Sequence, residues 1–194
     1  MTVAEILFTL GPRACVGGGF LRYAQGLSEE LKDIDLLFAD PEAVEIATRM
    51  LKEADYHLTF ESNNAKTWRL AEDLPPVQLV TRWYFSPEEH CKRFDFTIAQ
   101  CVMWCDGDAW MIFEEERFVE DCQGKRLTYT SPTREEEPLG SLRRALRFSE
   151  RGYHIHSESL ARLVHQMYFT IQKREEDLSD FQVWRGMSLR AGNY

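Results

Sequence analysis

The chain reads as an α+β protein: a mixed sheet of about five strands flanked by helices and closed by a short C-terminal helical segment. Three observations predict this. Short apolar runs bounded by turn residues recur from Arg13 to Phe113. Two helix-starting signatures, Asp40-Pro41-Glu42 and Ser86-Pro87-Glu88-Glu89, interrupt them, each with a capping residue before a first-turn proline. Beyond a polar, Glu-rich stretch from Thr130 to Pro138, helical spacing takes over.

In chain order, Val3 to Leu10 reads as a helix ended by Gly11-Pro12, and Arg13 to Val16 as a short strand leading into Gly17-Gly18-Gly19. Phe20 to Gln25 opens a second helix, which places the glycines at a helix N-terminus, where anions bind favourably. Asp33 to Phe38 is the next strand. The helix capped by Asp40 runs to about Ala54, with Val44, Ala47 and Leu51 on one face. Strand-like runs follow at 57–61, 66–70 and 77–85, with Pro75-Pro76 turning the chain before the last. The helix begun at Ser86 ends near Arg93, and Phe94 to Met103 reads as one strand. Asp106-Gly107-Asp108 is a tight-turn signal, so Ala109 to Phe113 returns as the hairpin partner. Leu139 to Gly152 and Ser157 to about Arg174 are helical, and Gly186 to Tyr194 form a loose tail. The polar stretch divides the chain into a domain over 1–133 and a helical segment over 134–194.

Bulk properties narrow the class. With 44% hydrophobic and 12% aromatic residues in 194, the chain can bury a real core and is not disordered. No apolar run reaches membrane-spanning length, and the N-terminus, with Glu5 and no basic region, does not read as a signal peptide. The five cysteines are scattered and lack zinc-site spacing, as suits reduced thiols in a cytoplasmic protein. A net charge of −9 argues against coating a long duplex. Cationic density is local instead: Arg143, Arg144, Arg147 and Arg151 in one segment, Lys92 and Arg93 in another. This suits gripping a nucleotide triphosphate or a strand end, or a solvated face paired to Glu135, Glu136 and Glu150.

The chemistry centres on Asp33-Ile34-Asp35 within an apolar run ending Leu36-Leu37-Phe38. Alternation on a strand sends both carboxylates to one side, where they repel unless a cation sits between them. Hard oxygens at this spacing suit Mg²⁺ shared with substrate phosphates, while a solvated strand end is the other reading. The preceding glycines let backbone N–H groups approach a phosphate. Asp95, flanked by Phe94 and Phe96, is either a sugar-facing or metal carboxylate or a buried structural one. Trp83, Trp104, Trp110 and Phe96 read as core, Glu114-Glu115-Glu116 as a solvated acidic turn, and His154 and His156 lack partners for a metal site.

These motifs, in order, resemble the head and neck of the bacterial poly(A) polymerase and CCA-adding enzyme family, over roughly Leu10 to Val164. The head motif G-G-x-V-R-D followed by D-x-D is similar to Gly18-Gly19-Phe20-Leu21-Arg22-Tyr23 and Asp33-Ile34-Asp35. The second motif, R-R-D-F-T-x-N-A, resembles Arg93-Phe94-Asp95-Phe96-Thr97-Ile98-Ala99-Gln100, and the neck L-R-A-x-R-F resembles Leu142 to Phe148. The resemblance implies a nucleotidyltransferase fold. It implies that Asp33 and Asp35 hold a two-metal Mg²⁺ site, that Gly18, Gly19 and Arg22 cradle the triphosphate, that Arg93 and Asp95 face the ribose and phosphates, and that Arg144 and Arg147 reach the nucleotide from the neck.

Departures bear on the substrate. Tyr23, Phe94 and Ala99 stand where the family has Asp, Arg and Asn. The family's base template E-D-x-x-R aligns with Glu137-Pro138-Leu139-Gly140-Ser141, which lacks the Asp and Arg that discriminate bases. The chain is also expected to lack the body and tail that hold a tRNA. The expectation is a metal-dependent transfer of NMP from an NTP to a hydroxyl, with release of pyrophosphate. An RNA 3′ end is the first acceptor, and a small molecule or a protein hydroxyl the others. The competing readings are a degenerate nucleotide-binding module and a toxin-like transferase.

Overall fold

A computed structural model describes residues 3–131 and 138–175. Its centre is a sheet of seven strands, rather than about five, in the order β3-β4-β5-β2-β1-β6-β7. The strands are β1 (Ala14–Gly17), β2 (Ile34–Phe38), β3 (His57–Glu61), β4 (Ala65–Arg69), β5 (Val77–Tyr84), β6 (Cys101–Asp106) and β7 (Ala109–Glu114). Only β2 and β5 run parallel; every other neighbouring pair is antiparallel. The sheet gains strands because both hairpins, β3–β4 and β6–β7, extend it at its edges rather than standing apart.

Helices α1 (Val3–Leu10), α2 (Gly19–Ala24), α3 (Pro41–Glu53), α4 (Pro87–Lys92) and α5 (Phe118–Gln123) surround it. The two proline-led starts form as their sequence dictates. Asp40 accepts from Ala43 N at 2.8 Å, and Ser86 and Glu89 complete a reciprocal capping box. Alternation along the central strands divides the core in two. Ala14, Val16, Leu36 and Phe38 point into the larger cluster with Ile6, Leu7 and Ala47 of the helices. Cys15, Leu37, Val102 and Trp104 point to the opposite face, which α4 covers with Cys91. Asp35, two residues before Leu37, lies on this second face.

The expected strand over Phe94–Met103 is three structures in succession. Phe96 makes an isolated antiparallel bridge to Tyr129, Thr97–Ala99 is a turn of 3₁₀ helix, and β6 begins at Cys101. The backbone groups of the irregular part are satisfied at long range: Thr97 N donates to Thr128 O and Thr130 N to Asp95 O. Trp104 and Phe96 are core as expected, but Trp110 on β7 is 49% exposed. Glu114 belongs to β7 rather than to a turn. The short strands β8 (Arg126–Leu127) and β9 (His154–Ile155) pair in parallel.

The helical segment forms as read, with α6 (Pro138–Glu150) and α7 (Ser157–Glu175). Phe148 of α6 sits edge-on to Phe96 and Tyr153 and fastens the segment to the sheet domain. The boundary at 133/134, Glu135, Glu136, Glu137 and the tail from Gly186 lie outside the described residues. Among the described residues no helix is long and apolar enough to cross a membrane.

Candidate active site

On the second face of the sheet, beyond the part covered by α4, a cavity of about 740 Å³ opens between α2, β2, β5 and α6. Asp33 and Asp35 both line it, because alternation in the run entering β2 sends them to the face of Leu37. Gly18 and Gly19 form its near wall. Gly18 has φ +63°, a conformation that side chains resist, and a Cβ built there would stand 3.9 Å from Asp35 Oδ2. The backbone of the glycine loop therefore runs directly beside the carboxylate.

Asp35 is the most perturbed group in this wall. Burial, with the neighbouring charge of Asp33 added, pushes its carboxyl up to about 7, and Arg22 offsets only part of this. Its Oδ1 is closed from solvent and has no hydrogen-bond partner among the described residues. A buried oxygen in that condition is costly unless a cation completes it. The donor set fits Mg²⁺: two hard carboxylates, an open cavity in front of them, and room for phosphate oxygens as further ligands. Groups of three or more ligating side chains are absent among the described residues, so the rest of a coordination shell would have to come from substrate and water. Beside Asp35 in the parallel register stands Gln78, a neutral amide rather than a further carboxylate.

The remaining expected residues divide into two groups. Arg22 lines the cavity but is mostly buried, donating Nη1–H to Ile98 O and lying over the Phe148 ring. It braces the wall as much as it faces the space. Asp95 and Arg144 also line the cavity and bind each other, Arg144 Nε donating to Asp95 Oδ2 at 2.6 Å. Asp95 is 3% exposed, so this pair settles its charge. It departs from the expected strand position, sitting in the irregular segment before the 3₁₀ turn. Arg93 and Arg147 do not line the cavity. Arg93 caps α4 with its guanidinium 3.8 Å from the centre of the Phe85 ring, and Arg147 is exposed on α6.

Other lining residues were not named from the sequence as site residues, and Trp83, expected in the core, is among them. Lys32, Arg82, Lys125 and Arg151 add positive charge, and Gln78, Trp83, Phe148 and Tyr153 add polar or planar surface. One signal was available: Gln78, Val80 and Arg82 alternate with Val77 and Leu79, marking one face of β5 as partly polar. Arg151 belonged to the arginine-rich segment already noted. Lys125 gave no local signal, since the β8–β9 pairing sets its place, with His154 N donating to Lys125 O at 2.7 Å. Chemically, the cavity sets two closely spaced carboxylates in a lining of mixed charge, where Lys32 and Arg144 are paired with Glu30 and Asp95 and where Arg82, Lys125 and Arg151 add further positive charge, an arrangement able to take a polyphosphate with its counter-ion.

A family model described as Gabija anti-defense 2 family protein (Gad2) matches residues 8–125. Among curated proteins none matches. The chain is similar in structure to a tRNA nucleotidyltransferase complexed with a primer tRNA and an incoming ATP analog, at 19% identity and TM-score 0.61, over 89% of this chain and 52% of that one. It is similar to the Thermotoga maritima CCA-adding enzyme complexed with tRNA at 21% identity and TM-score 0.58, over 82% and 40%. A CCA-adding enzyme in complex with ATP gives 18% identity and TM-score 0.61, over 88% and 44%. The chain thus spans about half the length of these structures or less. At such identities the likeness is one of fold: this is a nucleotidyltransferase fold of the kind expected from the sequence.

Proposed function

Because the chain belongs to the Gabija anti-defense 2 family, we propose that it counters a defence system by nucleotidyl transfer, moving NMP from an NTP to a hydroxyl. The observation that carries this reading is the sealed, unpartnered Asp35 Oδ1 beside Asp33, at the wall of a cavity that arginines and lysines also line. Asp33 and Asp35 would hold Mg²⁺, which would supply charge to the triphosphate and acidify the acceptor hydroxyl. The chain's own residues do the rest. The Gly17–Gly19 turn gives a phosphate close access to the backbone. Arg22, Lys125, Arg144 and Arg151 provide positive charge on the neck side, where a triphosphate is held. Asp95 orients Arg144, and β5 presents Gln78, Arg82 and Trp83 on the other side of Asp35, where the acceptor would enter. In the transfer, the acceptor oxygen bonds to the α-phosphorus, the bond from that phosphorus to the bridging oxygen breaks, pyrophosphate leaves, and the hydroxyl proton is released.

An RNA 3′ end is the first acceptor, consistent with the tRNA complexes among the structural neighbours. A hydroxyl on a protein of the defence system is the second. The missing base-template side chains, with Ser141 5% exposed and turned into the structure, bear on which NTP is used rather than on the acceptor. The test is a thermal-shift panel of the four NTPs with and without Mg²⁺, on wild type and on Asp33→Ala/Asp35→Ala, followed by transfer from α-labelled NTP. Stabilisation that needs both metal and carboxylates, with label passing to RNA or protein, supports the reading. No shift with any NTP overturns it.

A further inference from the structure

The two edges of the sheet are unlike. At one, β3 pairs with β4 through a register shift between Leu58 and Phe60, and such irregularity blunts an edge. At the other, β7 keeps unbroken register with β6 from Ala109 to Glu114, and its outer side has no neighbouring strand among the described residues. Its sequence, Ala-Trp-Met-Ile-Phe-Glu, carries neither the lysine nor the proline that commonly protect an edge. Trp110, Met111 and Ile112 are 49%, 41% and 54% exposed, so large apolar groups show on both faces of the strand. A flat, long, apolar edge of this kind is a template for one more strand.

Charge decides what that strand is. Asp106 and Asp108 lie at the turn that begins β7, and Glu114, Glu115 and Glu116 at its end. Arg117, the next cation along, is committed to Asp121, and Lys92 stands over Phe113 on the α4 face rather than along the edge. A second copy pairing antiparallel about a two-fold would bring the glutamates of each chain opposite the aspartates of the other, in a protein of net charge −9. Like charges facing across strands destabilise the pairing.

We propose that β7 docks an extended segment of another protein, apolar in the middle and basic at both ends, by strand addition. The interaction is independent of the transfer reaction: β7 does not line the cavity. It would let an anti-defence protein hold a partner while the cavity acts.

The probe is a synthetic peptide, Lys-Lys-Val-Thr-Ile-Thr-Val-Lys-Lys, with a twin carrying Glu at all four terminal positions. Binding to the full chain is read by anisotropy, and the site by amide hydrogen exchange. The expected result is protection at 109–114 by the basic peptide and none by the acidic twin. Asp108→Lys/Glu116→Lys weakens binding by about tenfold, since two cross-strand attractions become repulsions. Trp110→Lys/Ile112→Lys abolishes binding while circular dichroism and thermal midpoint show the fold retained. No protection at millimolar peptide, equal binding by the acidic twin, or protection of 109–114 without peptide that grows with protein concentration would each overturn the proposal. The last of these would assign the edge to a second copy.

Discussion

With its carboxyl raised to about 7, Asp35 in the metal-free fold holds a proton that an unfolded chain, with an ordinary pKa near about 3.9, has released. Between these values the folded state binds more protons, so this residue's contribution to stability falls as pH rises through the window and levels off above it. Asp35→Asn removes the effect. The metal-free variant should therefore melt higher than wild type at about pH 8, with the gap closing toward pH 4, and should lose the Mg²⁺-dependent shift. Melting curves across pH check it; parallel curves for the two proteins would mean that Asp35 is an ordinary surface carboxylate. Arg144 makes the complementary case. Arg144→Ala leaves a buried Asp95 charge without its donor and should cost about 1–3 kcal/mol, discounted for the half-exposed guanidinium. Adding Asp95→Asn should recover most of that in denaturant titrations, while the NTP-dependent shift stays weakened. An additive double variant would show the pair to be uncoupled. At this scale the sequence was legible where one rule of spacing decides, as with Asp33 and Asp35 on one face. Arg22 was not: its partner Ile98 O is 76 residues away, and nothing local distinguishes a buried bracing arginine from one that faces phosphate.

Helix starts were readable because a cap is a local bargain between a side chain and the next turn; Asp40 and Ser86 form the bonds their order requires. The run from Phe94 to Met103 was unreadable for the opposite reason. Its hydrophobicity suits a strand, but Thr97 and Asp95 take their backbone partners from Thr128 and Thr130, and Thr97 Oγ1 binds the fully buried Asp121 at 2.6 Å. That tertiary pairing bends the chain into the 3₁₀ turn and delivers Asp95 to the cavity. The glycine turn before α2 is a further element, and its form rests on the positive φ of Gly18. Gly18→Ala forces a side chain into φ +63° and should cost about 1–3 kcal/mol in chemical denaturation. The open space around its Cβ means that the cost is conformational rather than steric, so the fold should survive. If NTP stabilisation is unchanged in the folded variant, the turn does not approach the phosphates.

Across the whole molecule, the cavity exists because two separate parts of the chain close on each other. The parallel crossover from β2 to β5 brings Gln78 beside Asp35 and Arg82 to the same cavity, and α6 with the turn after it brings Arg144 and Arg151 from beyond the polar stretch. No sequence window contains both, which is why the cations lining the cavity were only partly visible in the arginine-rich segment. Phe148 is the joint. Its ring meets Phe96 at 6.4 Å and Tyr153 at 5.4 Å, and both Arg22 and Arg151 lie over it, at 5.4 and 5.6 Å. Removing the ring strips aromatic contacts and two cation–π partners at once, so Phe148→Ala should cost about 2–4 kcal/mol. The loss should not be uniform. Hydrogen exchange should rise first in α6 and β9, while β1 and β2 keep more of their protection, because the smaller core cluster (Cys15, Leu37, Cys91, Val102 and Trp104) has no residue of α6 or α7, although the larger one runs on into them through Ala145 and Leu163. NTP should then bind more weakly with Asp33 and Asp35 still in place, and Phe148→Leu should restore part of both the protection and the binding. If instead α6 and the central strands lose protection together, the helical segment and the sheet unfold as one unit, and the cavity's two walls cannot be separated by mutation.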